Sequence, residues 1–175
     1  LRRVWNAFHY SRAGLHAAVR ARTADEDLAR SHVGSCHFLH RKVRTPFDAD
    51  RIGVHGWSYG GFMTISLMTH YPDVFKVGVA GGPVIDWKWY EVMYGERYME
   101  TAATNPEGFA ETSLIPQAVN LKGKLLICQG AIDNTVIWEH SLSFVSECIK
   151  NNVQLDYFPY PLAEHNVMGK DREIG

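Results

Sequence analysis

Short apolar runs alternating with helical periods organise the chain from Phe47 onward. Arg51-Ile52-Gly53-Val54-His55 has strand length, and Val74 to Ala80 and Leu125 to Cys128 repeat the pattern. Such runs suit strands covered on both faces of a parallel sheet. Between the first two, Phe62, Ile65 and Met68 recur at helical spacing with Met63 and Leu67 beside them. Tyr71-Pro72-Asp73 then ends that helix, because proline cannot continue it. Trp138, Leu142, Val145 and Ile149 form the apolar face of another helix, closed at Asn151-Asn152. Val153 to Phe158 reads as a fourth strand, stopped by Pro159 and Pro161. Strands separated by helices predict βαβ units and a mostly parallel sheet with helices on both faces. Residues 84–120 exceed an ordinary connection. Their aromatic and then turn-rich composition predicts a functional excursion.

Composition narrows the class. With 175 residues, 46% of them hydrophobic, and a net charge of −1, the chain suits one soluble domain with its own core. That charge gives no reason to expect nucleic acid or a membrane surface as partner. No run approaches the roughly 20 apolar residues that span a bilayer. Cys36, Cys128 and Cys148 have neither metal-ligand nor disulfide-framework spacing, so neither a metal nor another cofactor is expected. Residues 1–46 differ from the rest: nine Lys/Arg face three acids there, against nine and sixteen in 47–175. They are read as a divergent basic segment, with one candidate helix from Asp25 through Leu39. Leu1 is not Met and no signal peptide is visible, so the chain is expected to be part of something longer.

The chemistry begins at Gly56-Trp57-Ser58-Tyr59-Gly60-Gly61. A G-x-S-x-G stretch between a strand and a helix is the nucleophile elbow of the α/β-hydrolases. A serine there sits on a sharp turn with its Oγ pushed into a site. Gly56 and Gly60 are expected to remove side chains that would collide. Ligands of parallel sheets sit beyond the carboxyl ends of the strands. Ser58 follows the first strand, Asp133 the third and His165 the fourth, which gives the hydrolase order Ser…Asp…His. His165 would take the proton of Ser58, and Asp133 would fix the tautomer of His165. His55 lies in a strand, His70 ends a helix and His140 sits on one, so only His165 combines a loop with that order. Asp86, after the second strand, is the rival acid. The backbone N–H of Tyr59 is the expected oxyanion donor. These residues leave open an esterase or lipase with the same triad, and an inactive hydrolase-fold fragment or interaction module.

A resemblance sharpens the picture. Gly56 to Phe62, with Trp87, Tyr90, Tyr94 and Glu96-Arg97-Tyr98-Met99, resembles the dipeptidyl peptidase IV branch of the prolyl oligopeptidases. Val77 to Trp87 and Glu164-His165-Asn166-Val167-Met168-Gly169 are most similar to bacterial prolyl tripeptidyl peptidases. The likeness covers about residues 47–172. It implies a partial α/β-hydrolase domain without its N-terminal β-propeller, and a serine exopeptidase that releases dipeptides or tripeptides after proline from free N-termini. It implies Ser58, Asp133 and His165 as triad, and Tyr59, Val84, Trp87, Tyr90, Tyr94 and Val136 around the proline. A flat aromatic wall suits the pyrrolidine ring, which brings no N–H needing a partner. Glu91, beside Tyr90, is the candidate anchor for the substrate ammonium. For the parent protein the likeness implies peptide substrates, a homodimer, and a periplasmic or cell-surface location. Asn134-Thr135 stands where the family usually has Asp-Asn.

Overall fold

In the computed structural model, which describes residues 51–174, four strands form one sheet; the fourth begins at Asp156 instead of Val153 and runs through Pro159, which an edge strand tolerates. Strands β1 (Ile52–Trp57), β2 (Phe75–Gly81), β3 (Lys124–Gly130) and β4 (Asp156–Tyr160) lie side by side in sequence order. All three pairings are parallel, so every carboxyl end falls on one edge of the sheet. Trp57 is level with Gly81, Gly81 with Cys128, and Gly130 with Tyr160. The basic segment 1–46 and its candidate helix lie outside the described residues.

Helix α1 (Tyr59–His70) follows β1 with Ser58 alone between them and buries Gly61 through Thr69 in one continuous run. A helix apolar all round belongs in a core. Its hydroxyls need no outside partner: Thr64 Oγ1 donates to the Gly60 carbonyl at 2.8 Å, and Thr69 Oγ1 to that of Ile65 at 2.9 Å. Phe62, Ile65 and Met68 meet Phe75, Leu125 and Ile127 in the main core. A smaller cluster, Cys128, Tyr160, Ala163 and Val167, packs with Trp57, Val79 and Leu126 on the other side of the strands. Residues 84–120 carry two 3-10 turns (Trp87–Trp89 and Ile115–Asn120) and two helices, α2 (Val92–Met99) and α3 (Pro106–Thr112).

Helix α4 (Glu139–Lys150) turns an unexpected face inward. The period predicts Trp138, Leu142, Val145 and Ile149 in the core. Instead His140, Ser141, Phe144 and Cys148 are buried, while Leu142 and Ile149 are 45% and 70% exposed. Apolar spacing counts only apolar residues. His140 and Ser141 turn inward because each finds a buried hydrogen-bond partner from a distant part of the chain. His140 Nδ1 accepts from Ile85 N–H at 3.0 Å, and Ser141 Oγ donates to Gln129 Oε1 at 2.9 Å. The short helix α5 (Lys170–Ile174) follows the last loop.

Candidate active site

The turn after β1 holds Ser58 at φ 61° and ψ −119°, a left-handed conformation that a residue with a Cβ rarely adopts. Ser58 N–H donates to the Gly81 carbonyl at 2.7 Å, and its carbonyl accepts from Phe62 N–H at 3.1 Å. Its side chain does not cap α1, so Oγ is not tied to the helix. Gly56 behaves as expected: a Cβ there would lie 2.2 Å from the Gly60 carbonyl oxygen. Gly60 does not, because a Cβ on it would meet open space. The second close approach belongs to Gly61, where a Cβ would lie 2.7 Å from the Gly81 carbonyl oxygen. The elbow is therefore tight because α1 starts hard against the end of β2.

Asp133 sits three residues beyond β3, and its side chain is 1% exposed. Oδ1 accepts from the Thr135 and Val136 N–H groups, both at 2.9 Å. Oδ2 accepts from His165 Nδ1 at 2.7 Å and from Gln129 Nε2 at 3.0 Å. Burial alone would raise the pKa of this carboxyl. The His165 hydrogen bond, the Val136 and Thr135 amides and the charge of His165 outweigh it and lower the pKa, which keeps Asp133 ionised. Because a carboxylate can only accept, His165 Nδ1 carries the proton and Nε2 is left as the basic atom.

His165 is held from three sides. Asp133 takes its Nδ1–H, Trp57 Nε1–H donates to its backbone carbonyl at 2.8 Å, and Gly82 lies beneath its ring. A Cβ on Gly82, whose φ is 46°, would sit 3.2 Å from His165 Cε1. Gly130 lets the two loops approach, since a Cβ there would fall 2.3 Å from the Ala163 carbonyl oxygen. His165 and Asp133 are thus paired as the acid–base half of a Ser-His-Asp relay would require. A Ser58–His165 hydrogen bond is not among those made by the described residues, and such links commonly tighten only when substrate binds.

Around Trp87 the predicted aromatic residues do come together. Tyr59, Tyr90 and Tyr94 lie 5.8, 5.5 and 5.9 Å from it, centroid to centroid, with Tyr94 stacked at 17°. Phe62 joins at 5.3 Å and Tyr98 extends the cluster from Tyr94 at 5.2 Å. Sequence reading did not assign Phe62, although its place four residues after Ser58 on α1 puts it on this side. Tyr59, being next to Ser58, connects the cluster to the nucleophile. The Tyr90 hydroxyl is held above its usual pKa by burial, then by the charges of Glu91 and Asp133, which connects it to the acid. Val84 and Val136 are buried in the same core and present no surface. Glu91 is exposed at the start of α2.

Asp86 is not part of the relay. It is 2% exposed, accepts from Lys88 N–H at 3.1 Å and Ser113 Oγ at 3.0 Å, and pairs with Lys88 Nζ at 3.0 Å. It anchors the 3-10 turn that carries Trp87. Two residues missed by sequence reading complete the arrangement: Gln129, bonded to Asp133, and His140, which receives the Ile85 amide just before that turn. A buried glutamine and a helical histidine carry no motif. Only the fold brings them to the site. An open concavity of about 490 Å³ lined by Trp89, Ile137, Glu139, Leu142 and Ser143 runs along α4 and contains none of Ser58, Asp133 or His165. Among the described residues no cluster of His, Cys, Asp or Glu could hold a metal ion, and no helix is long and apolar enough to cross a membrane.

Known proteins share this arrangement of strands. The chain is 49% identical to a crystal structure of a protein assigned as dipeptidyl aminopeptidase IV from Bacteroides ovatus, with a TM-score of 0.80 over 85% of this chain and 21% of that one. The crystal structure of Porphyromonas gingivalis dipeptidyl peptidase 4 is 28% identical, with a TM-score of 0.80 over 90% of this chain and 22% of that one. An Aspergillus oryzae protein assigned as dipeptidyl-aminopeptidase B is 37% identical over 123 residues, 69% of this chain but 14% of that protein. The present sequence thus spans a small part of the relatives it matches. The four-strand parallel sheet is that of the α/β-hydrolase domain in the two solved neighbours, as the resemblance implied. The model of the prolyl oligopeptidase family matches residues 34–174, and the chain belongs to that family.

Proposed function

We propose that these residues form the catalytic centre of a serine exopeptidase that cleaves after proline. Ser58 attacks the carbonyl that follows the proline ring. His165 Nε2 takes the Ser58 proton and returns it to the leaving amine, while Asp133 meets the charge of the imidazolium. Tyr59 opens α1 directly after the nucleophile, so its N–H is the donor placed to meet the developing oxyanion; Ser58 N–H is already committed to Gly81. The observation that carries the reading is the 2.7 Å His165–Asp133 bond in the loops after two strands, with a serine held at positive φ directly after a third strand of the same sheet.

The aromatic cluster supports the preference for proline. Tyr59, Tyr90 and Tyr94 keep partial exposure around a nearly buried Trp87, a surface suited to a flat, rigid ring. The buried Val84 and Val136 back this wall. Glu91 keeps its carboxylate in water beside Tyr90, available to a substrate ammonium. The names of the relatives favour release of dipeptides over tripeptides.

The test uses the full-length protein. A fluorophosphonate should label it once, at Ser58, and Ser58→Ala should abolish both labelling and turnover. Xaa-Pro and Xaa-Xaa-Pro chromogenic substrates with free and blocked N-termini then resolve the cleavage register. Faster turnover of simple acyl esters with no proline preference would instead establish an esterase.

A further inference from the structure

Two donors converge on one oxygen of Asp133, and only one of them is the histidine. We infer that Gln129 is a positioning residue of the relay, acting through Asp133 on the histidine; this rests on the catalytic reading of Ser58, His165 and Asp133. Gln129 is the second-last residue of β3 and 0% exposed. A primary amide at such a position costs free energy unless its donors and acceptor are all matched. Here they are. Nε2 donates to Asp133 Oδ2 and to the Val136 carbonyl, both at 3.0 Å, and reaches the Gly130 carbonyl at 3.4 Å. Oε1 accepts from Ser141 Oγ at 2.9 Å, and Ser141, in the first turn of α4, is itself 0% exposed.

The consequence is geometric. The Thr135 and Val136 amides hold Oδ1, Gln129 and His165 share Oδ2, and any rotation of the carboxylate would break several of these bonds together. Gln129 also bonds the carbonyl of Val136, so one side chain fixes both the loop and the carboxylate that the loop presents. Ser141 fixes the amide in turn. The order of its oxygen and nitrogen follows from these partners, because only Nε2 can donate to a carboxylate. The plane of Asp133 then sets the direction of the His165 Nδ1–H bond, and with it the aim of Nε2 toward Ser58.

Gln129 also shares the negative charge on Oδ2. Without that donor His165 Nδ1–H would be left as the side-chain donor on Oδ2, and the carboxylate would be free to turn about that one bond. His140 and Tyr90 also sense the charge of Asp133.

The experiment compares Gln129→Met, Gln129→Glu and Ser141→Ala in the full-length protein, with rates expressed per fluorophosphonate-titrated site. Gln129→Met should lower kcat about tenfold and leave KM unchanged because the residue is sealed from substrate. Gln129→Glu keeps the shape but has at most one proton to donate where the amide has two, so it cannot hold both Oδ2 and the Val136 carbonyl. Its kcat should fall in the same sense, and this variant supplies the reading if the methionine does not fold. Ser141→Ala should give a smaller change in the same sense. The downfield Nδ1–H proton resonance of His165 should shift or broaden in the Gln129 variants without any assay of turnover. Unchanged kcat and proton resonance in a folded Gln129 variant would overturn the inference and leave a purely structural glutamine. If Ser58→Ala were as active as the unaltered protein, the catalytic reading itself would fall, whatever the Gln129 variants do.

Discussion

His165 and His140 are two histidines of one fold, each near an aspartate, with opposite chemical fates. His165 lies in a loop with 15% of its side chain exposed, and its Nδ1 donates to Asp133. His140 lies in α4 at 0% exposure, and its Nδ1 accepts from the Ile85 and Asp86 amides at 3.0 and 3.4 Å. Burial drives the pKa of His140 down to about 4; the charges of Asp86, Asp133 and Glu139 oppose that shift without reversing it. Its Nε2 has no hydrogen-bond partner among the described residues. The partner type decides the role. A carboxylate on Nδ1 stabilises imidazolium and leaves Nε2 a base, whereas a backbone amide on Nδ1 selects the neutral ring and makes it a strut.

The sharpest way to break this comparison is to replace each histidine with asparagine. For His165→Asn the expected loss in kcat is about 10⁴-fold, the scale of a missing triad member, with little change in stability because the side chain is near the surface. For His140→Asn the amide oxygen can still accept from Ile85 N–H. Turnover per titrated site should stay within about tenfold, while the urea midpoint falls. Similar kinetic losses in both variants would show that the two roles were wrongly separated.

Stability against pH separates them next. The unfolded chain protonates His140 near its ordinary 6.5, whereas the folded chain does so only near 4. Between those values the unfolded state binds more protons, so stability is full above about 6.5 and declines as pH falls toward 4. Over that window the shift corresponds to about 3 kcal/mol. Urea unfolding at several pH values should show this decline, and His140→Asn should flatten it. A decline of the same size in the variant would assign it to other groups. Asp133 acts at lower pH: its folded pKa is depressed, so its contribution is held above the ordinary carboxylate range and lost as pH falls through the folded value.

The same contrast explains what was legible beforehand. That Ser58, Asp133 and His165 lie just past strand ends was readable because strand ends are visible in sequence. Strands β2 and β3 and α1 were readable because their burial is apolar, whereas β4, at the sheet edge, exposes Phe158 and holds Pro159, so its run was read too early. His140, Ser141 and Gln129 were not readable, since their burial depends on partners 55, 12 and 4 residues away that only the fold supplies. The inward face of α4 was misjudged for that reason: polar residues satisfied by remote groups displaced Leu142 and Ile149 to the surface. Gly60 was misassigned because the motif shows which glycines occur but not which backbone each one faces.

The smallest expected effect concerns Trp57, the residue directly before Ser58. Its ring lies over Gly81, where an added Cβ would fall 1.7 Å from Cε3, and its Nε1–H holds the His165 carbonyl at 2.8 Å. One side chain next to Ser58 in the chain therefore ties down the loop of the base, 108 residues away. The side-chain bond to the His140 carbonyl is local instead, from Ser143 Oγ at 2.8 Å, and its ring is fixed by the amides it receives and by an edge contact with Trp89. Trp57→Phe keeps most of the ring packing and removes the donor. A hydrogen bond of this kind contributes about 1 kcal/mol, so kcat should fall several-fold with KM nearly constant, and stability should fall by a similar small amount. Combined with Gln129→Met, the variant should lose less than the sum of the two separate effects, because both act on the aim of the same imidazole. Combined with His140→Asn, the effects should add. Coupling to His140 and additivity with Gln129 would mean that the loop of His165 is positioned through α4 and not through Trp57.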